Sequence, residues 1–266
     1  KRAKFNLSLA YLSLENFVQG CYYYRYRHSD EVEGLFQGVR DWHPSDKYGS
    51  VIIWAEQGIG DEIMFSQFLP FLETLNFRFY LEADVRLHPI LKSNYPWIDL
   101  IKRGSQIDVR SYSYHIPIGD LLSIFHKKIG DFCFPALSGA ESNLVKSLVE
   151  KYKDKGLSFI GLSWLSMNEE YGEKRSRSID DMCIGLDPSM NVIVNLQYLA
   201  PESELTKIRS KGFLMIDNFD CYNDISSVFA LISECEKVIT IDNSVAHFAG
   251  ALGVETEVWV PKLLNW

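Results

Sequence analysis

The chain has 266 residues, 47% of them hydrophobic and 14% aromatic, enough for one large domain or two medium ones with real cores. Its net charge of −8 argues against a nucleic-acid partner. The five cysteines form no C-x-x-C pair and no Cys/His cluster at zinc spacing, so they read as buried thiols in a reducing compartment. No apolar run reaches the roughly 20 residues of a membrane span, and no secretory signal is visible. The expectation is a cytoplasmic protein without a transmembrane segment, peripheral membrane contact being left open. Because the chain begins at Lys1 rather than methionine, it reads as a fragment or trimmed piece.

Residues 1–27 look helical, with Phe5, Leu9 and Leu12 on one face and Gly20 separating a second, aromatic helix over Cys21–Tyr26. A helix pair here is either the last unit of a helical repeat array or a hairpin packed on the domain. Ser29–Gly49, with its glycines and Pro44, reads as a linker.

Val51–Ala55 is an apolar run that fits a buried strand. The turn Glu56-Gln57-Gly58-Ile59-Gly60-Asp61 follows, then a helix expected from Glu62 to Leu75. A lone G-x-G is a weak nucleotide signal, since Ile63 stands where a third glycine would be. Asp61 at the helix start is either an N-terminal cap, favoured by the helix dipole, or a base facing a cleft. Further expected elements are a strand at Phe77–Glu82, a helix near Arg86–Asn94, apolar stretches at Trp97–Ile101 and Tyr114–Ile118, and a helix from Gly119. Glu82-Ala83-Asp84 has too few oxygen ligands for a divalent ion and reads as a solvated turn.

Phe132–Ser142 carries the composition of a domain boundary. The expected division is a helical segment and linker at 1–45, a first Rossmann-like half at 46–140 and a second at 141–266. In the second half a helix (Glu141–Lys155) precedes a buried strand (Phe159–Trp164). The polar run Leu165–Arg177 ends K-R-S-R, which could grip phosphates or be a solvated loop. A strand at Asn191–Leu196 ends at Gln197, and helices at Pro201–Lys211 and Asp224–Glu234 flank a strand at Phe213–Ile216.

The stretch Val238–Gly253 organises this half: a β-branched strand, the polar turn Asp242-Asn243-Ser244, then a helix stopped by Gly253. Such a turn aims free backbone N–H groups and the positive end of the helix dipole at one point, which suits a phosphate. It is equally what a self-capped helix requires. Alternating strands and helices imply parallel sheets, with ligands at the carboxyl ends of the strands. If the two open ends face each other, the Asp61 and Ser244 turns line one cleft.

Val51–Pro70 resembles the first strand–turn–helix of the heptosyltransferase-like family-nine glycosyltransferases, closest to the branch fused to tetratricopeptide repeats. Ile241–Gly253 is similar to that family's donor segment, V-D-T-A-x-A-H-L-A-G-A-L-G. The pieces Gly161-Leu162-Ser163-Trp164, Arg177-Ser178-Ile179 and Leu196-Gln197 match its weaker motifs. Phe17, Gly20, Tyr24 and Arg27 look like the end of the branch's repeat array.

The resemblance implies an α/β fold of the GT-B type, two Rossmann-like halves around a central cleft. The first half takes a glycan or protein acceptor and the second a nucleoside-diphosphate sugar, ADP-heptose-like. Transfer inverts the anomeric carbon and uses no metal or other cofactor. Asp61 matches the general base, beside the turn of Gln57, Gly58 and Gly60. The donor side takes Ser163, Arg177, Gln197, Asp242, Asn243, Ser244 and His247, the last either touching phosphate or packed in its helix. Asn243 departs from the family's threonine and Ser244 from its alanine or glycine, but both keep capping ability. The chain also ends at Trp266 where the family continues, so the second half is expected to be incomplete. A degenerate, non-catalytic nucleotide-sugar-binding or scaffold domain beside helical repeats is the alternative. A GT-B sugar-nucleotide epimerase, needing further acidic residues, is a third.

Overall fold

The computed structural model describes residues 1–28, 36–125, 136–139, 142–153, 155–168 and 172–261. The chain divides into two units, Lys1–Pro135 and Ala136–Lys262. Each is built on its own five-stranded parallel sheet.

The first unit opens with helices α1 (Arg2–Ser13) and α2 (Phe17–Tyr24). The break expected at Gly20 is not there. The chain turns instead at Glu15, whose φ of 58° is left-handed, and Asn16 caps α2 by accepting the Gln19 amide at 3.4 Å. Gly20 sits inside α2 because the two helices touch at that point. A Cβ on Gly20 would meet Leu12 Cδ2 at 2.6 Å, and Ser8 Oγ donates to the Gly20 carbonyl at 2.7 Å. What reads as a breaker in the sequence is a contact in the fold.

The sheet comprises β1 (Arg40–Asp41), β2 (Gly49–Trp54), β3 (Phe77–Ala83), β4 (Asp99–Lys102) and β5 (Tyr114–Pro117), in spatial order β1-β5-β2-β3-β4. β1 falls within the segment expected to be a linker, of which residues 29–35 lie outside the described residues. Val51, Ile52 and Ile53 are fully buried, as a strand covered on both faces requires. Helix α3 (Ile59–Ser66) follows β2, shifted from the expected Glu62–Leu75. Pro70 ends it early: proline has no amide to donate and its ring clashes with the carbonyl four residues back, which belongs to Ser66. The chain goes on as a single tight turn at Leu69–Phe71. Helices α4 (His88–Asn94) and α5 (Asp120–Phe125) follow β3 and β5.

His115 on β5 is held neutral by its neighbours. Trp54 Nε1 donates to His115 Nδ1 at 3.3 Å, leaving the ring proton on Nε2, which faces Asp41 Oδ1 at 3.2 Å. Phe36 stacks on the imidazole with centroids 4.5 Å apart. Burial pulls the His115 pKa below its ordinary 6.5, and the exposed Asp41 restores only part of it. A depressed histidine pKa contributes stability above the unfolded value that is lost as pH falls through the folded one. Urea midpoints measured from pH 7.5 down to 5 are therefore expected to fall more steeply for the wild type than for His115→Gln, whose amide can still accept from Trp54. Equal slopes would show that His115 does not resist protonation.

The second unit contains β6 (Ser158–Ser163), β7 (Asn191–Asn195), β8 (Leu214–Ile216), β9 (Lys237–Ile241) and β10 (Glu255–Trp259), ordered β10-β9-β6-β7-β8. Its helices are α6 (Asn143–Lys153), α7 (Gly172–Arg175), α8 (Ile179–Met182), α9 (Glu202–Ser210), α10 (Ile225–Glu234) and α11 (Ser244–Leu252). Leu162, Trp164, Ile179, Ile193 and Ile208 centre one face of its core. Gly253 stops α11 in the left-handed conformation, φ 71°, with the Val254 amide reaching back to the Ala249 carbonyl at 3.1 Å.

The two sheets share a plan. In each, one strand (β2 or β6) sits centrally, the next two extend to one side, and a later strand (β5 or β9) returns on the other side. Strand order reverses between β2 and β5 and again between β6 and β9. The carboxyl ends of those strand pairs are where open α/β sheets bind ligands.

Candidate functional site

In the second unit the residues singled out from sequence gather at the β6/β9 reversal. Asn243 caps α11 by accepting the Val245 amide at 3.0 Å, so within the Asp242–Ser244 turn the cap is Asn243 and Ser244 is the first helical residue. The same Asn243 oxygen accepts from Thr240 Oγ1 at 3.1 Å, and its amide donates to Ser163 Oγ at 2.8 Å, which ties the end of β9 to the end of β6. Ser163 Oγ in turn donates to Gln197 Oε1 at 3.1 Å. That oxygen also accepts the amides of Trp164 and Leu165, at 3.0 and 2.8 Å. Ser163 and Gln197 are each 1% exposed, with their polar atoms bound to neighbours. They brace the turn from beneath.

The surface of this turn is carried by other groups. Ser244 is half-buried, and among the described residues its hydroxyl has no hydrogen-bond partner. His247, one turn further on, is likewise half-buried with its ring unpaired among those residues. The basic run docks alongside: the Arg177 amide donates to the Trp164 carbonyl at 2.9 Å, and the Ser166 amide to Ser176 Oγ at 3.0 Å. Arg177 itself donates to the Ser176 carbonyl at 3.2 Å, whereas Arg175 Nη1 lies 3.5 Å from Asp242 Oδ2. Both arginines belong to the K-R-S-R run, of which the family resemblance singles out Arg177 alone. A helix N-terminus with an open hydroxyl and a guanidinium beside it can hold an anion without a divalent ion.

Asn243 is the joint of this arrangement. Asn243→Asp keeps the cap oxygen but loses the donor to Ser163 and places negative charge where an anion would sit. Affinity for a nucleoside diphosphate is expected to fall by about tenfold or more, the 1.4 kcal/mol scale of one charge-assisted contact, with the fold retained. Calorimetry checks this, and unchanged affinity would show that no anion binds at the turn.

At the β2/β5 reversal of the first unit the crevice holds the protein's own charges. Glu56 is buried and accepts the Gly119 amide at 2.7 Å and Arg27 Nε at 2.6 Å, with a second short bond from Arg27 Nη2. Arg27 Nη1 donates to Asp120 Oδ1 at 2.7 Å, and His28 Nε2 is 3.3 Å from Glu56 Oε2. Burial alone would pull the Arg27 pKa down, but Glu56 and then Asp120 more than reverse this and keep the guanidinium charged. Burial, with the Glu56 charge adding to it, holds the Asp120 carboxyl above its ordinary value although Arg27 pulls it down. Glu56 was read only as part of a turn, and Arg27 only as a motif match. A carboxylate directly after a buried central strand was the available signal.

Asp61 stands at the third position of α3, where its Oδ2 accepts the Gly58 amide at 2.9 Å. A Cβ on Gly58 would meet that oxygen at 3.3 Å, so a small residue suits the turn. Gln57 is exposed, with φ 57°, and its Nε2 donates to Tyr24 Oη at 2.7 Å. Gly60 is buried one position before Asp61. The Glu82/Asp84 carboxylates have structural partners: Glu82 accepts the Ala55 and Gly104 amides at 3.1 and 3.0 Å, and Asp84 pairs with Arg86 at 2.7 Å. Among the described residues no group of three or more His, Cys, Asp or Glu is placed to hold a metal, and no helix is long and apolar enough to cross a membrane.

No protein-family model matches the chain. Protein FlbA of Caulobacter vibrioides is 27% identical over 253 residues, covering 85% of this chain but 41% of its own length. The chain thus spans less than half of that relative. Among solved structures, a glycosyl transferase family 9 protein from Veillonella parvula covers 85% of this chain and 84% of its own at 10% identity, TM-score 0.55. The ADP-heptose LPS heptosyltransferase II of E. coli covers 82% and 91% at 13% identity, TM-score 0.53. The iron-containing dodecameric heptosyltransferase TibC, solved with ADP-D-β-D-heptose, covers 84% and 59% at 9% identity, TM-score 0.56. At these identities the likeness is one of fold. The two successive parallel-sheet halves have the GT-B fold of these structures.

Proposed function

We propose that this chain is the transferase part of a nucleoside-diphosphate-sugar glycosyltransferase, with an ADP-heptose-like donor and a glycan or protein acceptor. The observation that carries the reading is the open anion position in the second unit. There the N-terminus of α11, the Ser244 hydroxyl (unpaired among the described residues) and Arg175 beside Asp242 meet at a turn braced by Ser163, Gln197 and Asn243, with the Arg177 backbone docked on β6. The solved heptosyltransferase of like fold that holds an ADP-sugar supports the donor class.

Transfer with inversion needs a base for the acceptor hydroxyl and stabilisation of the departing diphosphate. In this proposal Asp61 takes the proton and the α11 turn with the two arginines takes the growing charge, so no divalent ion is required. A calorimetric panel of ADP, GDP, UDP, CDP and dTDP, each with and without magnesium, tests it. One diphosphate is expected to bind selectively and independently of magnesium, and Arg177→Ala is expected to weaken it by roughly tenfold. Failure of every diphosphate to bind would put a scaffold role ahead, and an unchanged dissociation constant in Arg177→Ala would remove that residue from the site.

A further inference from the structure

We propose that Tyr24 and Arg27, both from the N-terminal helical segment, are positioning residues for the turn that carries Asp61. That segment is then a working part of the first unit's site. The proposal rests on the reading of Asp61 as the base.

Its starting point is Gln57. A non-glycine residue in the left-handed region is costly, and it persists only where the surroundings over-determine it. The turn is held at three consecutive residues. Glu56 is clamped by the Arg27 fork, with Nε at 2.6 Å, and by the Gly119 amide at 2.7 Å. Gln57 is tied through its side chain to the Tyr24 hydroxyl at 2.7 Å. Gly58 is held through its amide by Asp61 itself at 2.9 Å. The first two grips come from the last residue of α2 and the stretch just after it, and the third ends on the proposed base.

The joint is built closely. A Cβ on Gly119 would meet Glu56 Oε1 at 2.6 Å and Arg27 Nη2 at 2.7 Å. Arg27 lies over the Tyr24 ring, 4.5 Å from its centroid, so the two grips are mechanically one. Ser123 Oγ donates to the Cys21 carbonyl at 2.6 Å and fastens α2 to α5 beside them. Burial lifts the Tyr24 phenol to about 12 although Arg27 and the Gln57 hydrogen bond pull it down, so the hydroxyl keeps its proton and stays a neutral partner for Gln57. Nothing in plain packing requires a buried tyrosine and an arginine to converge on two successive residues of a strained turn. Holding the following residues in one conformation does.

The test uses Tyr24→Phe, which removes one oxygen from a buried ring, and Arg27→Lys, which keeps the charge but loses the fork. Amide hydrogen exchange is followed in peptides covering 56–63, 77–91 and 239–247. In Tyr24→Phe exchange at 56–63 is expected to rise about tenfold while the other two peptides keep wild-type rates, and in Arg27→Lys the rise at 56–63 is expected to exceed any at 77–91, with 239–247 unchanged. In a transfer assay kcat is expected to drop by about 10- to 100-fold with the donor KM within about twofold, as misplacement of a reacting group produces. Wild-type exchange at 56–63 in Tyr24→Phe would overturn the proposal. So would a rise spread evenly through 77–91, which marks a merely structural joint. If the wild type transfers no sugar from any nucleoside-diphosphate sugar, the transferase reading falls, and the exchange data still decide whether Tyr24 and Arg27 hold the turn.

Discussion

Replacing Arg27 with methionine is expected to destabilise the first unit by roughly 3–5 kcal/mol, the cost of leaving buried charge without its partner. The side chains of Arg27 and Glu56 are 4% and 6% exposed, and Asp120 shares the same guanidinium, so two carboxylates lose their counter-charge together. Water cannot screen what it cannot reach. Methionine fills the volume of the stem, which removes cavity formation as a rival cause. The loss should also depend on pH. Asp120 already has a raised folded pKa, caused first by burial and opposed by Arg27. A carboxylate with a raised folded pKa binds protons more tightly folded than unfolded, so its contribution to stability falls as pH rises through that folded value. Without Arg27 the folded value climbs further, and the penalty at pH 7.5 should exceed that at pH 5. Denaturant unfolding of both proteins at the two pH values measures this directly. A loss under about 1 kcal/mol, or one equal at both pH values, would mean that the cluster is solvated and does not bind α2 to the sheet.

That cluster also shows where sequence stops being legible. The strand–turn–helix units were readable because their signals are local: β-branched runs for β2 and β9, a cap at Asn243, a left-handed glycine at 253. The candidate residues of the second unit could be named one by one because they lie in or beside those turns, and the fold brings Ser163, Gln197 and Asn243 into one hydrogen-bonded chain. Their division of labour was not readable. Whether a polar side chain faces a ligand or supports a backbone depends on strands far apart in sequence, and Gln197 reaches residues 164 and 165 only because β6 and β7 are neighbours. Gly20 shows the same limit in reverse: a glycine that contacts Leu12 and a glycine that breaks a helix are the same letter. Arg27 and Glu56 are 29 positions apart and meet only through the packing of α2 on the sheet. No periodicity links them.

Asp61→Asn is expected to lower kcat for sugar transfer by about 10²–10⁴-fold while leaving donor affinity and folding near wild type. The structure makes this substitution unusually clean. Asp61 accepts the Gly58 amide through one oxygen, and an asparagine carbonyl can accept the same bond at the same 2.9 Å, so the start of α3 survives. What asparagine cannot do is take a proton. The rival role, a cap and nothing more, makes the opposite forecast for a matched pair of variants. If Asp61 only caps, Asp61→Asn turns over at the wild-type rate and Asp61→Ala loses about 1 kcal/mol of stability. If Asp61 is the base, both variants lose transfer alike, and only the alanine variant loses stability as well. Single-turnover kinetics with the donor identified by calorimetry, run beside thermal melts of both variants, separates the two. A change in donor affinity in Asp61→Asn would itself count against a purely chemical role for this carboxylate.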